Sequence, residues 1–540
     1  MIKNCKGSAA EDERRTEGNG MNKIEAIKAE RDGLAVREMI AHYATTGWES
    51  IPEADVQRLK WYGLFLRNPT PGFFMVRVRI PGGQTTSYQL RALAEIASSY
   101  GNGVLDLTTR QQIQLRNIKI EDVPAVFARM DGVGLTSMQT GMDNVRNVMT
   151  CAVSGLNSDE IVETTALVRA INEEILGNPA YSNLPRKLNV AVTGCPHNCV
   201  HMETQDLAFV PAHYDLGHDR CAGFNVLVGG KLGSGGYRIA APLDVFVNPG
   251  EVLGVCRAIL EVYRDHGPRE SRTQARLAFL IEEWGEARFR AEVEARVGKR
   301  LASAGMDARK TGEQDHVGIF RQRQQGMNYA GLKVLVGRVK AADLVKILNL
   351  SEKYGNGEVR ITPSQALIIP NISDRTVGDL ADEPLLKQFA YNPSALYKGL
   401  VSCVGSDYCN LAVIESKGRA VAVAKALEGR LGSSLKPITM HWSGCPASCG
   451  NHLVADVGLL GKKAKIDGKV VEAVDIYVGG RSGPDPKLAV KIMEDVPCDK
   501  LPAVLEGLLP YHTREKMHRV RGGGARKVMA GKEANISSVA

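Results

Sequence analysis

Four cysteines late in the chain have the spacing with the clearest chemical meaning. Cys403 and Cys409 are separated by five residues, and Cys445 and Cys449 by three. Two short turns that deliver four thiolates can hold a 4Fe–4S cluster, because soft sulfur donors suit iron–sulfur chemistry. Gly405, Gly444 and Gly450 give those turns backbone freedom. A structural zinc site with four cysteine ligands competes with this reading, although paired zinc ligands are usually separated by only about two to four residues. Buried inert thiols are the third reading.

A second set of residues points to anion chemistry. Arg77 and Arg79 lie in an apolar stretch, Arg110 and Arg116 in the next, Arg146 follows Gly141-Met142-Asp143-Asn144-Val145, and Arg186-Lys187-Leu188-Asn189 runs into Val190-Ala191-Val192. Cations at such positions are ordinarily paired in salt bridges or exposed. If many converge on one cleft, they bind a polycarboxylate or a small oxyanion, because guanidinium groups bond planar carboxylates in a bidentate fashion.

The chain that must position these groups has 540 residues, enough for several domains with ample core. Its 44% hydrophobic and 24% charged content is that of a globular protein and excludes collagen, a mostly disordered chain and a small disulfide scaffold. No apolar run is long enough for a transmembrane helix. The first forty residues have no signal-like apolar stretch, so the expected compartment is the cytoplasm, where eleven cysteines do not form a disulfide framework. A net charge of +8 favours acidic partners, and without a basic stripe interleaved with aromatics no nucleic acid is expected.

The chain also repeats itself. Tyr100-Gly101-Asn102-Gly103 returns as Tyr354-Gly355-Asn356-Gly357, an offset of 254. Thr193-Gly194-Cys195-Pro196 returns as Ser443-Gly444-Cys445-Pro446, and Val228-Gly229-Gly230 as Val478-Gly479-Gly480, both at 250. Cys151 matches Cys403 at 252. A period this long implies two similar halves about a pseudo-twofold axis, with a site between them. The first half keeps Cys151, Cys195 and Cys199, but Asn157 stands where Cys409 has its counterpart. That trio reads first as ordinary buried thiols, and a second metal site is the sharper alternative. Within the halves, Met75–Ile80 alternates as a strand, 88–98 has helical spacing, and Leu105–Leu115 alternates again with Arg110, Gln112 and Gln114 on one face. Residues 22–43 read as one helix of an N-terminal arm. The glycine-bearing stretch after Arg296 reads as the crossing between halves, and the basic, glycine-rich end from Glu515 as a fraying tail.

On Leu107-Thr108-Thr109-Arg110-Gln111, Asp143-Asn144-Val145-Arg146-Asn147, Leu184-Pro185-Arg186-Lys187 and the cysteine quartet with Gly444-Cys445-Pro446, the chain resembles the sirohaem-dependent nitrite and sulfite reductases, most closely the ferredoxin–nitrite reductases, over roughly residues 55–535. The resemblance implies a multidomain α+β and α/β fold, duplicated about a pseudo-twofold axis. Its parts are an arm at 1–50, ferredoxin-like half-domains at 51–135 and 316–390, and larger α/β domains at 136–315 and 391–540. It implies a 4Fe–4S cluster on Cys403, Cys409, Cys445 and Cys449, with Cys449 also the axial ligand to sirohaem. It implies Arg77, Arg146, Lys187 and Asn189 around the substrate, and Thr109, Arg110, Arg116, Arg272 and Arg276 on the sirohaem carboxylates. The implied reaction is six-electron reduction of nitrite to ammonia in nitrate assimilation, with ferredoxin as transient donor and the enzyme a monomer. Assimilatory sulfite reduction is the alternative. Asn189 decides for nitrite, because sulfite reductases of this kind usually carry a second lysine there, which suits a more highly charged anion. No Gly-x-Gly-x-x-Gly run follows a convincing strand, so electrons must come from outside.

Overall fold

The computed structural model describes residues 22–509 except 216, 218, 234, 313, 432–434 and 436. The basic tail beyond Glu515 lies outside the described residues. Four large sheets form two pairs, and each pair repeats one plan.

The first pair is ferredoxin-like. One sheet runs in the order Leu64–Arg67, Thr70–Val78, Ile113–Lys119, Val104–Leu107 and Arg338–Lys340; the other runs Gly318–Arg321, Met327–Lys333, Ala366–Ser373, Glu358–Ile361 and Gln84–Thr86. The last strand of each sheet comes from the opposite half. Arg338–Lys340 adds antiparallel to Val104–Leu107, and Gln84–Thr86 to Glu358–Ile361. The exchange interlocks the halves through backbone bonds. Helices Ser87–Ser99 and Ala341–Tyr354, equivalent under the repeat, pack on each other. Their apolar faces (Leu90, Leu93 and Ile96 with Leu344, Ile347 and Leu348) close a single core over both sheets. Burial of this apolar surface is the main force holding the halves together.

The second pair is α/β. Val145–Met149, Leu188–Val192 and Leu207–Asp215 run parallel, then Arg220–Val228 and Ala241–Val247 turn back antiparallel. Leu400–Ser402, Met440–Ser443, Val457–Ile466, Lys469–Val478 and Val490–Pro497 repeat the same order and senses. In both copies the first two cysteine-bearing turns begin where the first two parallel strands end.

Two local expectations are corrected. The stretch Leu105–Leu115 is not one strand but a hairpin. Val104–Leu107 and Ile113–Lys119 pair antiparallel, and Gln111 takes φ 57° in the turn between them. Arg110 therefore sits at a turn tip rather than on a sheet face. Residues 22–43 are three short pieces, Lys23–Glu30, Gly33–Met39 and Ile40–Thr46, because Asp32 caps a new 3-10 turn through the Leu34 amide. Gly33 is required there, since a Cβ at that position would lie 2.2 Å from the Trp61 ring. Val36, Ile40 and Tyr43 then join the ferredoxin-like core.

Candidate active site

Both quartet turns dock onto the first half. In the first turn, the Asn410 side chain accepts from the Asn68 amide at 3.0 Å, and Asn102 donates to the Tyr408 hydroxyl at 2.7 Å. In the second, Thr109 Oγ1 donates to the Cys449 carbonyl at 3.0 Å and Tyr237 donates to the Pro446 carbonyl at 3.3 Å. Gly233, at φ 77°, lies so close to Ala447 that a Cβ would stand 2.7 Å from its carbonyl oxygen. Cys403 Sγ accepts from the Gly444 amide at 3.1 Å, which links the two turns. Burial, then the charges of Cys449, Cys409 and Cys403, push the Cys445 thiol up to about 12, so all four sulfurs share one electrostatic neighbourhood.

Cations face this sulfur group from the first half. Arg77 lies on Thr70–Val78, with its guanidinium over the Phe65 ring at 4.8 Å and a bond to the Thr140 carbonyl at 3.0 Å. Burial, with Arg67 and Arg110 beside it, holds Arg77 down at about 9. Arg110 is also lowered, by burial and by Arg276, while Cys449 acts in the opposite sense. Arg146 donates to the carbonyls of Thr140 and Met142, and its Nε is buried with no partner. Burial, followed by Arg77, Arg110 and Arg186, places it well below the ordinary arginine value. Lys187 is likewise well below the usual lysine value, through burial and then Arg110 and Arg276. Arg77, Arg110, Arg146 and Lys187, each buried and each lowered by at least one neighbouring cation, make a positive site suited to an anion.

A small cleft is lined by Thr109, Arg110, Asn189, Thr204, Gln205, Leu232 and Asn451. Asn189 is fixed there by its backbone amide, which donates to Asp206 at 2.8 Å, and its side-chain oxygen is buried without a partner. The same Asp206 receives Arg276 in a bidentate pair, both contacts at 2.7 Å, so it sets the position of two expected site residues at once.

Not every expected residue is free for a ligand. Arg272 is held bidentate on Asp143, a carboxylate shared with Lys28 and Arg186. Burial opposes that charge, but Arg272, Lys28 and Arg186 hold Asp143 down at about 2. Arg116 pairs with Asp106 at 2.7 Å and lies over the Tyr408 ring, yet its Nη1 is buried and unbonded, as is Nη1 of Arg276. Arg79 is structural: it donates to the carbonyls of Met138, Gln139, Val145 and Arg146 and so holds the Arg146 backbone. One residue the sequence reading missed is Arg67, held down at about 10 by burial and Arg116 while Cys409 and Cys449 act against them. It ends the strand Leu64–Arg67, and nothing in its local pattern marks it.

The donor set fits what the resemblance implies. Four soft sulfurs suit an iron–sulfur cluster. The unbonded buried N–H groups of Arg67, Arg116 and Arg276 suit a macrocycle rich in carboxylates. These donors and cations are the ones an iron–sulfur oxidoreductase acting on a small anion requires.

Comparison with known proteins identifies it further. The nitrite and sulphite reductase 4Fe-4S domain matches residues 141–301, and the nitrite/sulfite reductase ferredoxin-like half domain matches twice, at 67–133 and 320–386. The chain is 46% identical to the ferredoxin–nitrite reductase of Synechococcus elongatus over 91% of this chain and 96% of that one. It is 37% identical to the assimilatory ferredoxin-dependent nitrite reductase of Haloferax mediterranei over 90% of this chain and 88% of that one. The solved structure of the Mycobacterium tuberculosis NirA protein matches with a TM-score of 0.87 at 30% identity, covering 94% of this chain and 95% of that one. The chain belongs to the nitrite and sulphite reductase family. The family works with sirohaem and a 4Fe–4S cluster. Among the described residues no helix is long and apolar enough to cross a membrane.

Proposed function

We propose that this chain reduces nitrite to ammonia with electrons taken singly from reduced ferredoxin, as a monomeric cytoplasmic enzyme. The observation that carries the reading is a buried group of cations, of which Arg77, Arg110 and Lys187 feel the charge of Cys449, beside a turn that Thr109 ties down through the Cys449 carbonyl at 3.0 Å.

Cys403, Cys409, Cys445 and Cys449 hold the cluster on this reading, and Thr109, Arg110, Arg116 and Arg276 meet the carboxylates of the macrocycle. Arg272, bound to Asp143, supports the pocket from behind. Sirohaem and the cluster, when bound, supply the electron path and an iron that takes the substrate. The rest is the work of the chain. Arg77, Arg146 and Lys187 attract the nitrite anion, and their N–H groups offset charge that grows on its oxygens as electrons arrive. Lys187, whose proton is loosened by burial and by Arg110, is the group best suited to give that proton to a departing oxygen and regain one from solvent. Arg146 is anchored through the Thr140 and Met142 carbonyls and so holds its fork in place. Asn189 adds a neutral amide beside Lys187, which suits a monoanion better than sulfite.

The test is an anaerobic assay of purified holoenzyme with reduced ferredoxin and nitrite. Ammonia in a 1:6 ratio to electrons consumed supports the reading, and Cys409→Ser must abolish both turnover and the bound iron. Turnover of sulfite but not nitrite would overturn it.

A further inference from the structure

We infer that Cys151, Cys195, Cys199 and His316 form a second metal centre that binds one zinc ion in a tetrahedral Cys3His set, apart from the quartet assigned to the cluster. The four ligand atoms lie within 4.8 Å of one another. Cys151 Sγ and His316 Nε2 are 3.3 Å apart. Zinc–sulfur bonds of about 2.3 Å and zinc–nitrogen bonds of about 2.0 Å put ligands about 3.5–3.8 Å apart around a tetrahedron. The group is therefore spaced for one ion. A cube of four irons holds its sulfur ligands further apart, and among the described residues the quartet does not form such a compact group.

The pseudo-symmetry explains the origin of the site. The trio occupies the positions of Cys403, Cys445 and Cys449, and Asn157 takes the place corresponding to Cys409. Asn157 is not idle: its Nδ2 donates to Cys195 Sγ at 3.7 Å, a contact that favours the thiolate. The fourth ligand comes from across the molecule, just ahead of Gly318–Arg321 in the second half. His316 Nδ1 contacts the Tyr329 hydroxyl at 3.3 Å, which leaves Nε2 turned to the sulfurs; an outer partner of this kind orients most histidine ligands. Gly331 makes room for the His316 backbone, since a Cβ there would stand 1.7 Å from its carbonyl oxygen.

The surroundings suit a closed structural site. Cys151, Cys195 and His316 are buried, Cys199 is half-buried, and Ala152, Val153, Leu156, Tyr329 and Ile368 form an apolar shell. His316 is buried against these sulfurs and offers the neutral-imidazole Nε2 that zinc commonly takes. Zinc binding releases the thiol protons to solvent and links the two halves, fastening the second ferredoxin-like sheet to the first α/β domain.

The experiment is elemental analysis of the full-length holoenzyme and its variants. The native chain is expected to carry about one zinc beyond its iron, and His316→Gln to fall to about a tenth of that or less. His316→Cys, which restores a fourth sulfur, should keep the zinc, and Cys409→Ser should lose iron but keep the zinc. Native protein without zinc overturns the inference, as does zinc that survives both His316→Gln and Cys195→Ser, iron in place of zinc at this set, or a Cys195–Cys199 disulfide found by mass spectrometry. None of these results depends on nitrite turnover, so the inference can fail while the proposed function stands.

Discussion

Gln111 and Gln365 occupy equivalent places in the two halves, and each ties its own half to the other. Gln111 Nε2 donates to the Ile361 carbonyl at 3.0 Å and the Gly82 carbonyl at 3.1 Å, while its Oε1 accepts from the Thr150 amide at 3.2 Å. Gln365 Nε2 donates to the Leu107 carbonyl at 3.2 Å and the Ser402 carbonyl at 2.9 Å, while its Oε1 accepts from the Ser402 amide at 3.1 Å. Both take left-handed backbone, φ 57° and 63°. Each lies in the hairpin turn that faces the opposite half, and each reaches the segment that runs into its own half's first cysteine, Cys151 or Cys403.

Because the two bond sets match, their loss should cost alike. Gln111→Ala and Gln365→Ala each strip partners from three buried backbone groups, a penalty of about 2–4 kcal/mol. Urea unfolding followed by circular dichroism should show similar falls in midpoint for both. A silent Gln111 variant beside a damaging Gln365 variant would show that the equivalence is geometric only.

Lys187→Gln and Arg146→Gln test the cationic pocket. If these groups act on charge that develops during reduction, each change should lower kcat for nitrite by roughly 100-fold or more. The optical spectrum of the oxidised enzyme should stay unchanged, since neither residue is assigned to the cofactors. A rise in KM with kcat intact would mean that the cations serve binding alone.

Much of this site was legible because its signals are local. The quartet is visible as two short spacings, and the duplication as anchors at one offset. What escaped depends on distance or on backbone geometry. Alternation through Leu105–Leu115 cannot reveal the left-handed Gln111 that breaks it into a hairpin and carries Arg110 to the cleft. The exchanged strands Gln84–Thr86 and Arg338–Lys340 are three residues each, too short for a pattern. His316 reaches the trio from the other half of the chain, so the sequence alone leaves ordinary buried thiols and a second metal site both open there. The pairings of Arg272 and Arg276 with Asp143 and Asp206 are likewise contacts between segments far apart in sequence.

Acid should loosen the pocket in a defined window. Asp143 has a folded value near 2, below the usual carboxylate range, because Arg272, Lys28 and Arg186 outweigh burial. Its contribution is complete above the unfolded value of about 4 and is lost as pH falls through the folded one, on the order of 2–3 kcal/mol. Asp106, also depressed by Arg116, Lys417 and Arg338 against burial, adds to the same trend. Stability measured by urea unfolding should therefore drop between about pH 4 and pH 2. Asp143→Asn should lose about 3–5 kcal/mol at neutral pH by leaving Arg272 buried without its charge partner and Lys28 with Glu25 alone. The variant should also show a shallower acid slope, because only Asp106 and lesser groups remain to titrate. An unchanged slope would mean that Asp143 does not hold its charge as described.

Substrate preference should turn on Asn189. Its backbone is fixed by Asp206, its side-chain oxygen is buried and unbonded, and it lines the cleft with Arg110 and Thr109. Asn189→Lys places a second ammonium beside Lys187. That added charge gains more from a dianion than from nitrite, and a difference of about 1.4 kcal/mol in transition-state binding is tenfold in rate. The ratio of kcat/KM for sulfite to that for nitrite should rise by about tenfold or more, chiefly through better use of sulfite. Burial and the neighbouring Arg110 and Arg276 also work against a further charge, so the variant should lose some stability as the preference shifts. Asn189→Asp supplies the opposite control: a carboxylate beside Lys187 should depress both activities. If Asn189→Lys left the ratio where it was, the neutral amide at this position would have no part in selecting the anion, and selection would rest with Arg77, Arg146 and Lys187 alone.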